Sequence, residues 1–227
     1  MKDRYELVVI GAGPAGLAAA TSCAKLGIDV VLVDEQPAPG GQIYRGIENI
    51  PEERARLLGQ DYRDGAALVQ AFRDSDATYL PNTSVWSLTS GSIGILQGDK
   101  ASRIHTNRVI IAGGAMERPV PLPGWTLPGV MNAGAAQILL KGAGVVPDDG
   151  VVIAGTGPLL LLLAWQYLHA GVEVKAVLEL AGFMAFLRAT PRLPAALLSG
   201  HIHRFQVLMA DLEGRPLAAP VLYPGAV

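Results

Sequence analysis

The chain has one cysteine, Cys23, among 227 residues. That excludes an internal disulfide, a CxxC redox pair and a cysteine-ligated metal cluster. It fits a reducing cytoplasm, with any attachment to the inner membrane made through partners. Charge is also scarce: 17% of residues are Asp, Glu, Lys or Arg, and the net charge is -2. There is no basic surplus to suggest nucleic acid and no acidic tail to suggest disorder. Long hydrophobic runs are missing too. The longest, Pro158 to Trp165, is far too short to cross a bilayer. The run Leu7 to Ile10 follows a charged mix from Lys2 to Glu6 and carries no export signal. Neither Ser22 nor Ser199 sits in a GxSxG elbow. What the chain has in abundance is apolar material, 50% of residues, and 27 glycines. Those suit a buried core and tight turns between strands and helices.

Two segments repeat one plan. Residues 5–36 and 149–180 each read as a short apolar strand, a Gly-rich turn, a helix, a Gly break and a second apolar strand. Continuous Val/Ile/Leu strands of this kind belong to buried parallel sheets. The expected fold is α/β, with two Rossmann-like domains of three-layer ββα type. The first spans residues 1–118 and carries an inserted β-meander; the second spans 119–227 and is incomplete. Residues 52–76 read as helical, with Gly59 and Gly65 as interruptions. Val85–Leu88, Ile93–Leu96 and Arg103–Thr106 read as the meander strands, and residues 107–115 as a further buried strand ending in glycines. The proline-rich stretch 117–129 is the connector. The run Leu159 to Leu163 is expected in a helix buried between a sheet and its neighbours.

The first turn carries the chemistry. Val8-Val9-Ile10 leads into Gly11-Ala12-Gly13-Pro14-Ala15-Gly16, a GxGxxG directly after a strand and opening a helix. Gly11 permits the turn, Gly13 leaves room for a pyrophosphate, and Gly16 lets the helix lie close to the strand. The helix start offers N–H groups and a positive dipole end. Asp34 closes the second strand, where a carboxylate accepts from ribose hydroxyls; Glu35 accompanies it, facing the other way. With strand, helix, Gly27 break, strand and acid all present, the turn reads as a site for an ADP moiety. The alternative is an α/β turn without a ligand.

The second turn, Gly155-Thr156-Gly157-Pro158-Leu159-Leu160, keeps two glycines and puts Leu160 at the third position. A leucine there pushes the helix from the strand and crowds a pyrophosphate. Glu179 ends the following strand, so Gly155 and Gly157 stay candidates for a second nucleotide, NAD(P), while a fold kept without nucleotide is the favoured reading.

The order of fingerprint, meander and glycine-ending strand resembles the FAD domain of flavoproteins with two dinucleotide-binding domains. Ala112-Gly113-Gly114 stands where that family writes ATG. More specifically, VDEQPAPGGQIYR (33–45), GWTLPGVMNAGAAQILLK (124–141) and GTGPLLLL (155–162) resemble the alpha or A subunits of opine oxidases, the B subunit of hydrogen cyanide synthase and related amino-acid dehydrogenase subunits. The resemblance implies FAD as cofactor. It places Gly41 and Gln42 along the ribityl or flavin portion and Val85 where the backbone meets adenine, with Pro14, Ala15, Ala112 and Gly113 completing the contacts. Tyr44 and Arg45 line the flavin edge or a subunit contact, or are plain surface residues. The implied partner is a flavin-bearing beta subunit, with a small iron–sulfur subunit being a further candidate. Relatives are longer and return to the FAD domain after the second one, so the chain is expected to be a truncated member.

The resulting expectation is an FAD-binding subunit of an amine or amino-acid oxidoreductase, of opine, glycine, sarcosine or proline type, accepting or relaying electrons. Two rivals stay open: a stand-alone NAD(P)H-dependent flavin reductase, and a non-catalytic assembly subunit. No catalytic residue is assigned. His201 and His203 share a strand face but lack a third ligand, so no metal site is assigned.

Overall fold

The computed structural model describes residues 2–180. Their contacts gather into two compact units: one comprises the chain up to Leu122 together with Lys141–Gly144, and the other comprises Pro123–Leu140 and the chain from Val145 onward. His201, His203 and Ser199 lie outside the described residues.

The first unit opens with strand β1 (Leu7–Ile10), helix α1 (Pro14–Lys25) and strand β2 (Val30–Val33). Helices α2 (Glu52–Leu58) and α3 (Gln60–Arg73) follow, then strand β3 (Thr78–Leu80). Strands β4 (Thr83–Thr89), β5 (Ser92–Gln97) and β6 (Lys100–His105) form an antiparallel meander, and β7 (Val109–Ile111) returns to the main sheet. That sheet is parallel throughout, in the order β3-β2-β1-β7. The chain runs outward from β1 to β3 and then reappears on the far side of β1. The switch in direction opens a crevice at the carboxyl ends of β1 and β7.

Side-chain alternation explains the layering. Successive residues of a strand point to opposite faces. Leu7 and Val9 of β1 join Val30 and Leu32 of β2 in one cluster, against Leu17 and Ala20 of α1 and Val69 and Phe72 of α3. Val8, Val31 and Val33, the residues between, form a second cluster with Tyr5 and with Ile93, Ile95 and Ile104 of the meander. Helices therefore cover one face of the sheet and the meander covers the other, the expected three-layer build. Each of the buried Val, Leu, Ile and Phe side chains contributes about 1.5–3 kcal/mol through burial, so neither layer is dispensable.

Several details differ from the sequence reading. Gly59, at φ 90°, does separate α2 from α3. Gly65 does not interrupt anything; it lies buried inside α3. A Cβ at Gly65 would stand 2.3 Å from the Tyr44 ring, so the glycine makes the hollow that seats the tyrosine. Strand β3 went unrecognised because three half-buried residues carry no periodic signal.

In the second unit, strands β8 (Val151–Gly155) and β9 (Val174–Glu179) pair in parallel, joined by helix α5 (Pro158–His169). Leu160, Leu163, Ala164, Gln166 and Tyr167 are buried along α5, whereas Leu159 and Leu162 face outward. The expected burial of the whole leucine run holds for only part of it, because one helix cannot turn every side toward the sheet it packs on. Helix α4 (Ala133–Ala143) was not foreseen; its Gln137 amide donates to Gln166 Oε1 at 2.9 Å, a buried pair.

The Tyr44–Gly65 contact is testable by a double-mutant cycle. Gly65→Ala should cost about 1–3 kcal/mol in urea unfolding, the usual range for overpacking. In a Tyr44→Ala background most of that penalty should vanish.

Candidate functional site

Three turns meet at the carboxyl ends of β1, β2 and β7. Gly11 leaves β1 with φ 101°, a conformation few side chains tolerate. Its N–H donates to the Val33 carbonyl at 2.8 Å, and a Cβ there would sit 2.4 Å from the Ala112 carbonyl oxygen. Gly16 is tighter still. Its Cβ would stand 1.8 Å from the Gly11 carbonyl oxygen and 3.4 Å from the Ala112 Cβ. Helix α1 can therefore lie on β1 only with glycine here. Gly13 differs from both: its backbone is extended (φ -72°, ψ -179°) and a Cβ would meet nothing within 4 Å. Packing among the described residues does not demand a glycine there. Pro14 occupies the first helical position, and the N–H groups of Ala15 and Gly16 have no acceptor within the helix.

Asp34 follows β2 and turns toward this loop. Its Oδ2 accepts from the Ala12 N–H and its Oδ1 from the Gln36 N–H at 2.7 Å. Each carboxylate oxygen keeps a further lone-pair position. Glu35 is exposed, in keeping with the alternation that turns it away from Asp34. Val85 stands in β4 opposite Ile95, two positions beyond Thr83, whose N–H donates to the Asp34 carbonyl at 2.9 Å. The meander edge is thus pinned beside the acid.

The Gly40-Gly41 turn docks on the first loop. The Gly40 N–H donates to the Ala12 carbonyl at 2.8 Å. Gly41 has φ 60°, and a Cβ there would approach the Gly13 Cα to 2.8 Å. Gln42 follows directly and is exposed. The rest of the turn is anchored on α3. The Tyr62 hydroxyl donates to the Arg45 carbonyl at 2.7 Å, and Tyr44 meets Tyr62 edge-on. Arg73 holds Glu48 through two contacts of 2.9 and 3.0 Å. Arg45 reaches back to Gln36 at 3.0 Å. Tyr44 and Arg45 are half-buried parts of this support rather than free surface. On the other side, the Ala112 N–H extends the ladder to the Ile10 carbonyl at 2.8 Å, while Gly113 borders open space.

The residues named from the first fingerprint and from the GGQ segment are therefore brought together. Three contributors were not named: Gly40, which is buried in the docking turn; Gly65; and Lys141. The glycine doublet signals Gly40, but Gly65 and Lys141 act through contacts distant in sequence that no local pattern reveals.

Lys141, in the last turn of α4, is 8% exposed, and its Nζ donates to the Gln42 carbonyl at 3.4 Å. Burial lowers its ammonium from the ordinary 10.5 to about 8. Burial also raises the Tyr62 phenol to about 12.

The second turn is built differently. Gly155 and Gly157 both have positive φ, 158° and 88°. Leu160 is buried, with its Cδ1 3.6 Å from where a Gly155 Cβ would be. The leucine side chain thus packs beside Gly155, where the first turn brings Gly16 directly against the Gly11 carbonyl. Glu179 ends β9, half-buried, beside Leu180, whose N–H donates to the Gly155 carbonyl at 2.8 Å. Among the described residues no helix is long and apolar enough to cross a membrane, and no group of three or more His, Cys, Asp or Glu residues gathers that could hold a metal.

Residues 5–202 match the family described as pyridine nucleotide-disulphide oxidoreductase. The A subunit of opine oxidase from Agrobacterium tumefaciens (strain Ach5) is 49% identical over 190 residues, covering 80% of this chain and 38% of the relative. Hydrogen cyanide synthase subunit HcnB of Pseudomonas aeruginosa is 38% identical over 184 residues, covering 78% of this chain and 39% of the relative. Among solved structures, L-proline dehydrogenase from P. horikoshii superposes with a TM-score of 0.62 at 21% identity, covering 78% of this chain and 35% of that one. The last likeness concerns the fold. The chain spans well under half the length of each of these proteins.

Lys141 gives the ligand-free chain a pH signature. Between about pH 8 and 10 the unfolded chain keeps a proton that the folded chain has lost, so stability rises with pH. Above pH 10 the raised Tyr62 phenol reverses the trend, since the folded state then holds the extra proton. Urea unfolding of the full chain should show a gain of about 1–2 kcal/mol from pH 8 to 10. Lys141→Met should abolish that gain.

Proposed function

Because the chain belongs to the pyridine nucleotide-disulphide oxidoreductase family, we propose that it is the FAD-binding part of a multi-subunit oxidoreductase acting on amines or amino acids. The observation that carries this reading is the pairing of Gly16, where a side chain has no room, with Gly13, where room is left that no described residue uses. At the second turn the N-cap glycine, Gly157, also borders open space, but Leu160 stands where the first turn has Gly16.

The residues present fit FAD. N–H groups at the start of α1 and its dipole stabilise a diphosphate. Gly13 lets the backbone approach it. Asp34, held by Ala12 and Gln36, presents its remaining lone pairs to ribose hydroxyls. The Gly41–Gln42 turn and the Ala112–Gly113 turn border the far part of the dinucleotide, and Val85 borders adenine. Bound FAD supplies reversible electron acceptance. The chain's own contribution is to bind and orient it and to shield it from water on the α3 side.

The names of the relatives support the assembly. The opine oxidase and hydrogen cyanide synthase relatives are each called a subunit. On this reading, a flavin-bearing beta-type partner oxidises the substrate and this chain accepts or relays the electrons. The substrate class is an amine or amino acid of opine, glycine, sarcosine or proline type. Leu160, buried at the third position of the second turn, speaks against a stand-alone NAD(P)H-dependent reductase.

The full chain purified with added FAD should show flavin absorption bands, and NADH should leave them unbleached. Gly13→Val should keep the thermal midpoint within about 3 °C, since a Cβ there meets nothing. It should also weaken FAD binding, read by flavin fluorescence, about 100-fold or more, roughly 3 kcal/mol. Equal FAD affinity in Gly13→Val would defeat the assignment.

A further inference from the structure

We propose that Arg45 is a positioning residue of the dinucleotide site: through the Gln36 side chain it steadies the backbone donor that aims Asp34 at the adenosine ribose. This rests on the reading of Asp34 as the ribose acceptor.

Two hydrogen bonds on one residue, Gln36, join the guanidinium to the carboxylate. Arg45 Nη1 donates to Gln36 Oε1 at 3.0 Å. The Gln36 N–H donates to Asp34 Oδ1 at 2.7 Å, while the Ala12 N–H donates to Asp34 Oδ2. One carboxylate oxygen is therefore set by the first loop and the other by Gln36. The Gln36 carbonyl accepts from the Asn82 N–H at 3.2 Å. Pro37 follows and restricts Gln36 to extended backbone. Arg45 is itself anchored, since the Tyr62 hydroxyl donates to its carbonyl at 2.7 Å. The bond between Arg45 and Gln36, nine residues apart, thus closes the loop that carries the Gly40-Gly41 turn. That turn docks on Ala12 and Gly13.

Packing alone does not account for an arginine here. Its Nε–H is buried and has no acceptor among the described residues. A buried donor left unpaired opposes folding, which an apolar side chain of similar length would not do. The bond that the guanidinium does make, to Gln36 Oε1, comes from a charged donor and is stronger for it. A ribose hydroxyl donates well to a carboxylate oxygen only over a limited range of angles. A carboxylate whose second support has slackened spends less time in that range. The effect is selective. Loss of Arg45 weakens what the ribose hydroxyl gains and leaves the N–H groups at the start of α1 as they are. Loss of a positive charge alone would weaken every diphosphate ligand alike.

The test uses the full chain as wild type, Arg45→Met, Arg45→Lys, Gln36→Met and the double variant of Arg45→Met with Gln36→Met. FAD affinity is read by flavin fluorescence, and the affinities of ADP and 2′-deoxy-ADP by competition. Wild type should prefer ADP over 2′-deoxy-ADP about 10-fold, the worth of one hydrogen bond to a charged group. In Arg45→Met that preference should fall to about 2-fold and FAD affinity should drop about 5-fold, with 2′-deoxy-ADP binding as in wild type. Arg45→Lys, which keeps a donor, should restore most of the preference. The double variant should bind no worse than the weaker single variant, because both substitutions cut one bond. The proposal is overturned if Arg45→Met keeps the wild-type preference, if it weakens ADP and 2′-deoxy-ADP equally, or if the two single losses add. Should Arg45→Met fail to fold, Gln36→Met cuts the same bond from its other end, and an unchanged preference there overturns the proposal as well. A wild type that binds FAD without distinguishing ADP from 2′-deoxy-ADP would instead defeat the reading of Asp34. One that binds neither FAD nor ADP would defeat the cradle reading. The role of Arg45 falls with either.

Discussion

The Gly11 carbonyl oxygen and the Gly16 Cα lie too close together for any side chain to come between them. That approach sets the depth at which α1 sits on the sheet. The position of α1 in turn decides where its first N–H groups open, beside Gly13. The approach also fixes Gly11 against Ala112, so the end of β7 is brought to the same place. Asp34 adds a second constraint by accepting from Ala12, and the Gly40-Gly41 turn adds a third by packing on Ala12 and Gly13. The cradle is held from several sides by the chain's own backbone and side-chain contacts. Such preorganisation lowers the entropic cost of binding.

The same motif written with one changed residue illustrates what that approach is worth. In the second unit, Leu160 takes the place of the third glycine and is well buried, so the turn is satisfied by an apolar contact. Both turns therefore support a βαβ unit. Only the first packs its backbone this closely; the N-cap glycines of both helices, Gly13 and Gly157, border open space. Fold and binding separate cleanly here: a parallel pair of strands tolerates leucine, whereas a close backbone approach does not.

Much of this was legible from residues alone. The first βαβ unit, the meander, the β7 strand and the ADP fingerprint are all local patterns of spacing and period. The strand bounds shift by a few residues and β7, expected to be buried, leaves Ile110 and Ile111 exposed, but the elements stand. Gly65 misled because a glycine in a helical pattern is ordinarily a break, whereas here it answers to Tyr44, a ring far away in the chain. Helix α4 escaped because its small residues, Ala133 to Ala136, carry little amphipathic contrast and follow a proline-rich connector. Lys141 escaped for a different reason: its neighbour Gln42 is remote in sequence, and no spacing rule couples them.

The alternation along β1 and β2 has a consequence for how this architecture can vary. Val8, Val31 and Val33 look away from the helices and are covered by Ile93, Ile95 and Ile104. The meander thus works as the roof over half of the sheet's apolar surface, although topologically it is an insertion between β3 and β7. A shortened version in which a tight loop replaced residues 83–105 would strip three valines bare. It would gain an adhesive face before it lost its nucleotide-binding turn. Change in this lineage is therefore expected at the hairpin tips around Gly91 and Gly98, where the strands reverse in solvent, and not in the length of the strands that form the roof.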